Sequence, residues 1–103
     1  MADIDKHMAQ RLHFKKRMKQ RYGIEVNKAM YNAFIKAIQT NSRVEFEYKG
    51  HRLCIAAFFE KKTSNRASVF RIRFGGYEGQ IPVVYDKIRK ELVTALPELK
   101  VEN

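Results

Sequence analysis

The apolar residues of this 103-residue chain change their period at Arg43. Before that point they recur at three and four residues; after it they alternate with polar ones. A spacing near 3.6 belongs to a helix and a spacing of 2 to a strand, and one segment does not satisfy both. The chain therefore divides into helices first and strands second, an α+β plan in which the helices pack together against an antiparallel sheet.

In the first helix Ile4, Met8, Leu12, Phe14, Met18 and Tyr22 fall within one arc of about 160°. Asp3 or Asp5 is placed to cap its start, and Gly23 stops it soon after Arg21. Asn27 caps a second helix over Lys28 to Thr40, with Ala29, Met30, Ala33, Phe34, Ala37 and Ile38 as its stripe. The link is about five residues, so the two form a hairpin. Tyr31 and Lys36 read as surface.

Arg43 to Tyr48 alternates as a half-buried strand, and Lys49-Gly50 suits a tight turn. His51 to Phe59 is apolar on both sides from Leu53 onward, which predicts a central strand. Glu60 to Arg66 is a polar turn. In a third strand, Ala67 to Phe74, Phe70, Ile72 and Phe74 share one face and Val69, Arg71 and Arg73 the other. Residues 75–79 form a Gly-rich loop, and Ile81 to Tyr85 is a fourth strand. Glu91 to Leu96 reads either as a fifth strand after a turn at 86–90 or as a helix. The helical stripe is Ile88, Leu92, Ala95, Leu96 and Leu99, and Pro97 would end it. The expectation is one domain, 1–103, with a two-helix hairpin on a four- to five-stranded antiparallel sheet.

Charge narrows the partner. Twenty-one Lys and Arg against 11 Asp and Glu leave +10, which favours a polyphosphate such as RNA or an acidic protein. Cys54 is the single cysteine. It forms no internal disulfide, suits a reducing compartment, and within LCIAAFF reads as core rather than nucleophile. With no N-terminal apolar segment and no apolar run near 18 residues, neither a signal peptide nor a membrane span is expected, and the cytoplasm is the expected location. The three histidines and Cys54 lack zinc spacing. The Gly-rich loop lacks the lysine–serine pair of a phosphate-binding loop. No cofactor and no metal is expected.

The stretch His13 to Ile24, HFKKRMKQRYGI, concentrates the charge. Lys15, Lys16, Arg17, Lys19 and Arg21 follow Arg11, and His13, Arg17 and Arg21 form one ridge at i, i+4 and i+8. Arg11 and Lys15 fall by angle inside the apolar arc, so each must reach its edge or be aimed at something. A solvated basic face with long stems lying on apolar surface accounts for the same residues.

HFKKRMKQRYGI resembles the H-x-x-x-R…R-x-G-I helix element of small bacterial and phage toxin-like ribonucleases, and VVYDKIRKELVTALP resembles their closing hairpin. Both point to the barnase/colicin-D/RelE-like ribonuclease superfamily. The resemblance favours the strand for 91–96 and implies metal-independent RNA cleavage on the concave face of the sheet. By position His13 is the helix histidine, Arg17 and Arg21 its arginines, and Thr94 the last-strand hydroxyl beside Tyr85. His13 would move protons near neutral pH, Arg17 would stabilise the phosphorane, and Thr94 or Tyr85 would bond the scissile phosphate. Arg11, Lys15, Lys16, Arg21, Arg71 and Arg73 would hold RNA, and Tyr48, Tyr77 and Tyr85 would stack bases. The helical wheel sets His13 and Arg17 opposite the apolar arc, so either the helix packs by its flank or His7 and Arg11 take the role. The resemblance also implies an acidic antitoxin as partner, and a host protein is the partner under the inhibitor class below. Two other classes fit the charge: a nucleic-acid binder without catalysis, and a phage-type inhibitor of a host complex.

Overall fold

The structure, a computed structural model, describes residues 2–75 and 79–97, with side chains from Ala9 onward. Helices α1 (Ala2–Tyr22) and α2 (Lys28–Thr40) precede strands β1 (Val44–Tyr48), β2 (His51–Lys62), β3 (Ala67–Phe74), β4 (Ile81–Asp86) and β5 (Glu91–Ala95). Each strand pairs antiparallel with the next, in the order β1-β2-β3-β4-β5. The fold is α+β, with the helix pair against a curled five-stranded sheet. Helix α2 lies on β1 and β2, and α1 lies at the opposite end on β5. Segment 91–96 is thus chiefly strand, and the helical alternative is excluded. The caps expected at Asp3 or Asp5, the side chains of Ile4, His7 and Met8, and Tyr77 and Leu99 lie outside the described residues.

Local chemistry sets the boundaries. Asn27 Oδ1 accepts from the Met30 amide at 2.8 Å, satisfying one of the four orphan N–H groups of α2. Gly23, at φ +68°, ends α1: its N–H donates to the Lys19 carbonyl at 3.0 Å and that of Ile24 to Met18 at 3.4 Å. This paired closure needs a left-handed residue, which glycine adopts without a Cβ clash. Lys49 and Gly50 both take positive φ, 50° and 83°, between the paired Tyr48 and His51. That twist matches the flanking strands and makes a two-residue hairpin.

The core runs between the helices and the inner face of the sheet. Phe14 and Met18 of α1, Met30 and Phe34 of α2, and Ile55, Ile72, Ile81, Val83 and Leu92 of the sheet are all fully buried. Phe14 joins the helices, its ring 5.9 Å from Tyr31 and 6.0 Å from Phe34 in edge-to-face contact. Each such pair adds about 0.5–1.5 kcal/mol beyond area burial.

The structure corrects three expectations. Leu12 is 61% exposed, although it belongs to the apolar arc of α1. It stands about 120° around the helix from Met18. At the end of the sheet α1 meets β5 on one side and Phe14's partners on α2 on the other, so its buried seam is narrow. Tyr31 is 4% exposed rather than a surface residue. It fills the angle between the two helices. Finally, β2 continues to Lys62, through a bulge between Phe59 and Lys61, instead of turning at Glu60. Its outer face is not covered, and Phe58 is 48% exposed. Strand β1 begins at Val44 opposite Ile55, which leaves residues 56–62 of β2 without a paired strand on that edge. The strand buried along nearly its whole length is β4. Leu96, whose amide bonds the Pro82 carbonyl at 2.8 Å, crosses beside β4's outer face, and Val69 of β3 is buried there too.

The narrow seam of α1 is testable by denaturant unfolding. Phe14→Ala should cost about 3–5 kcal/mol. Leu12→Gln should stay within about 0.5 kcal/mol of the parent, as for an exposed helical position.

Candidate nucleic-acid interface

The two stretches that carry the resemblance meet in space. At the last turn of α1, Arg21 Nη1 donates to the Ala95 carbonyl at 2.6 Å. The Tyr22 hydroxyl donates to the Leu96 carbonyl. From α2, the Tyr31 hydroxyl accepts from the Leu92 amide at 3.2 Å, and the Arg11 guanidinium lies 5.2 Å from the Tyr31 ring centroid. Burial raises the Tyr31 pKa above its ordinary value, and the bond from Leu92 opposes that rise. Three side chains from the helices thus bond the backbone of β5 and the residue after it, where a bare edge strand would expose unpaired polar groups. Arg11 rests on an aromatic face, which is why a cation occurs within the apolar arc. Arg21 is a tie between helix and strand.

With the seam centred near Phe14 and Met18, the ridge lies on the flank of α1 toward β5. Helix α1 thus packs by its flank, and the alternative at His7 lies outside the described residues. His13 is exposed and, with Ala9, Gln10, Val93 and Arg89, lines an open cleft of about 510 Å³. Arg17, half-buried, donates to Gln20 Oε1 at 3.0 Å. Lys16 is exposed and Lys15 half-buried. No acidic partner meets Arg17, Lys16 or Arg89 among the described residues.

The remaining expected residues spread out. Thr94 pairs with Val84 and so shares the outer face, while the neighbouring pair Val83 and Ala95 faces the core. Val93 occupies the bulge between Thr94 and Leu92, which turns it toward α1. Tyr85 is 5% exposed, packed on Phe70 at 6.1 Å, and its hydroxyl accepts from Gln39 Nε2 at 2.9 Å. The structure therefore brings His13 and Arg17 to the rim beside β5 and leaves Tyr85 in the core under α2. On β3, Arg71 is bound by Glu60 at 2.7 Å, while Arg73 is exposed. Tyr48 donates to the Glu25 carbonyl at 2.7 Å, tying the β1–β2 hairpin to the link between the helices.

One contributor to the cleft has no counterpart in the sequence reading. Arg89 stands on the turn after β4, and Asp86 builds that turn. Asp86 Oδ1 accepts from the amides of Ile88 at 2.9 Å and Arg89 at 3.0 Å, and Oδ2 from Arg66 Nη2 at 2.9 Å. The signal in the sequence is an aspartate opening a charged turn, where the side chain bonds backbone two and three residues on. Desolvation pushes the Asp86 carboxyl up, but the bonds from Arg89, Arg66 and Ile88 outweigh it and hold the carboxyl below its ordinary value of 3.8.

Among the described residues, no group of three or more His, Cys, Asp or Glu is placed to hold a metal, and no helix is long and apolar enough to cross a membrane. No family model matches the chain, and neither a curated protein nor a solved structure matches it.

Because the folded pKa of Asp86 is depressed, its stabilisation is present above the ordinary value of 3.8 and is lost as pH falls through that value to the lower folded one. Asp86→Asn should therefore lower stability at neutral pH by about 1–3 kcal/mol. It should also flatten the loss of stability on acidification below about pH 4. Melting temperatures of parent and variant from pH 7 to 3 check both.

Proposed function

We propose that this protein is a ribonuclease-derived RNA-binding domain, and that the rim between α1 and the β4–β5 turn is its principal RNA surface. The observation that carries this reading is the cleft that His13 of α1 lines together with Arg89 of the β4–β5 turn, with Arg17 one helical turn on from His13 and no acidic partner for Arg17 or Arg89 among the described residues. Cations held along one edge of a fold are the electrostatic footprint of a phosphate track. Elsewhere the acids neutralise neighbouring bases: Glu25 binds Lys19 and Lys49, Glu45 binds Arg52, and Glu60 binds Arg71. At the rim, charge is left over for a partner.

Binding is the stronger reading than cleavage because proton transfer at both ends of the scissile bond needs two positioned groups. Among the described residues lining the cleft, His13 is the one side chain suited to general acid–base work. Tyr85 reaches Gln39 instead.

The test is fluorescence anisotropy of single-stranded RNA against salt, run beside a cleavage assay in EDTA. Arg17→Ala and Arg89→Ala should each weaken binding at every sequence and reduce the salt slope by about 0.7 per lost phosphate contact. His13→Ala should bind nearly as the parent does. EDTA-resistant cleavage that falls at least ~100-fold in His13→Ala would replace this reading with catalysis. No salt-dependent binding would overturn it.

A further inference from the structure

On the outer face of the sheet, three strands from the rim, lies a second cationic site. An open groove of about 410 Å³ is lined by Arg43, Cys54, Ala56, Phe58, Arg73 and Gly75. Arg43 and Arg73 are exposed and meet no acidic partner among the described residues. Nearby arginines on the same sheet are treated differently: Arg52 is bound by Glu45 at 3.3 Å and Arg71 by Glu60 at 2.7 Å.

The floor of the groove is as telling as its walls. Cys54 and Ala56 are small and half-buried on a face where Phe58 stands 48% exposed. The pairing Ala56↔Arg73 and Phe58↔Arg71 puts the phenyl ring and the Arg73 guanidinium on one face of adjacent strands. The groove is open because β1 begins only at Val44, so no strand pairs with that edge of β2 beyond Ile55. A flat ring can lie on the small floor against Phe58, with a cation on either side for the phosphates that flank it. Aromatic ring, flat floor and paired guanidinium groups together match one unpaired nucleotide.

We propose that this groove is a nucleotide subsite for single-stranded RNA: Phe58 stacks a base, and Arg43 and Arg73 hold the adjoining phosphates. The proposal rests on the RNA-binding reading above and extends it to a second point on the strand. Three strand spacings of about 4.8 Å separate β2 from β5. An oligonucleotide of about 4–16 residues, the usual footprint of a small single-strand binder, spans both places. An acidic peptide shares the charge but has no need of the flat floor beside Phe58, and a second copy of this chain would bring +10 against +10.

Cys54 reports on the groove directly. Its alkylation by iodoacetamide is followed by mass, alone and with a short oligouridylate or with polyglutamate, and binding of the oligouridylate is measured for Phe58→Ala and for Arg43→Ala/Arg73→Ala. The expected result is slowed alkylation with the oligouridylate and not with polyglutamate. Phe58→Ala should lose about 5- to 100-fold in affinity at unchanged salt slope, and the double arginine variant should lower the slope by about 1.4. Binding with Cys54 labelled at its free rate and Phe58→Ala at parental affinity overturns the subsite and leaves the rim reading standing. Protection by polyglutamate in place of RNA overturns it in favour of an acidic peptide. Absence of RNA binding by the parent overturns both readings.

Discussion

The contact on which this structure depends is the bonding of both helices to the edge of β5. A terminal strand presents backbone N–H and C=O groups that must find partners. Here Arg21 and Tyr22 reach the Ala95 and Leu96 carbonyls, and Tyr31 takes the Leu92 amide. Because these bonds come from the last turn of α1 and the first turn of α2, they fix the rotation of α1 against the sheet. Phe14 and Met18 then face the core, and His13 and Arg17 face outward beside the β4–β5 turn. The basic flank is thus a consequence of how an edge was closed.

The same geometry separates structural cations from those available to a partner. Arg11 lies over Tyr31, Arg21 bonds a carbonyl, and Arg66 bonds Asp86. Arg17 and Arg89 at the rim, and Arg43 and Arg73 on the outer face, carry no such tie to an acid among the described residues. Exposed ion pairs such as Glu45–Arg52 contribute little to stability. They leave the cations of the rim and of the outer-face groove unneutralised. Long-range attraction would then bring a polyanion to those places at a rate that falls with salt.

Local and periodic features were legible in the sequence. Asn27 capped its helix where a side-chain acceptor before an apolar stripe should, and Lys49-Gly50 turned the chain where glycine permits positive φ. The alternation over Ala67–Phe74 put Ile72 inward and Arg73 outward. What was not legible depended on which neighbour covers a face. Tyr31 falls outside the helical stripe that holds Phe34, and its burial follows from α1 lying against it. Leu12 is as apolar as Met18, yet no element reaches its side of the helix. Phe58 reads as core until β1 proves too short to cover that edge of β2. At the candidate site, the ridge His13, Arg17 and Arg21 could be read from spacing. The division of labour within it could not, because Arg21 is tied to a carbonyl 74 residues away. Likewise the Tyr85 hydroxyl, placed at the site by resemblance, is satisfied by Gln39, 46 residues earlier in the chain.

The proposed RNA surface depends on the closed β5 edge, which holds the flank of α1 and the β4–β5 turn as one rim. Amide chemical shifts of the isotope-labelled protein, titrated with a short single-stranded oligoribonucleotide, test it most directly. Saturable shifts are expected along His13–Arg17 and Lys87–Lys90, weakened by added salt, with Lys49 and Gly50 at the β1–β2 hairpin unmoved. Saturable binding whose shifts spare the α1 flank and the β4–β5 turn, or a titration that moves no amide at all, would contradict it.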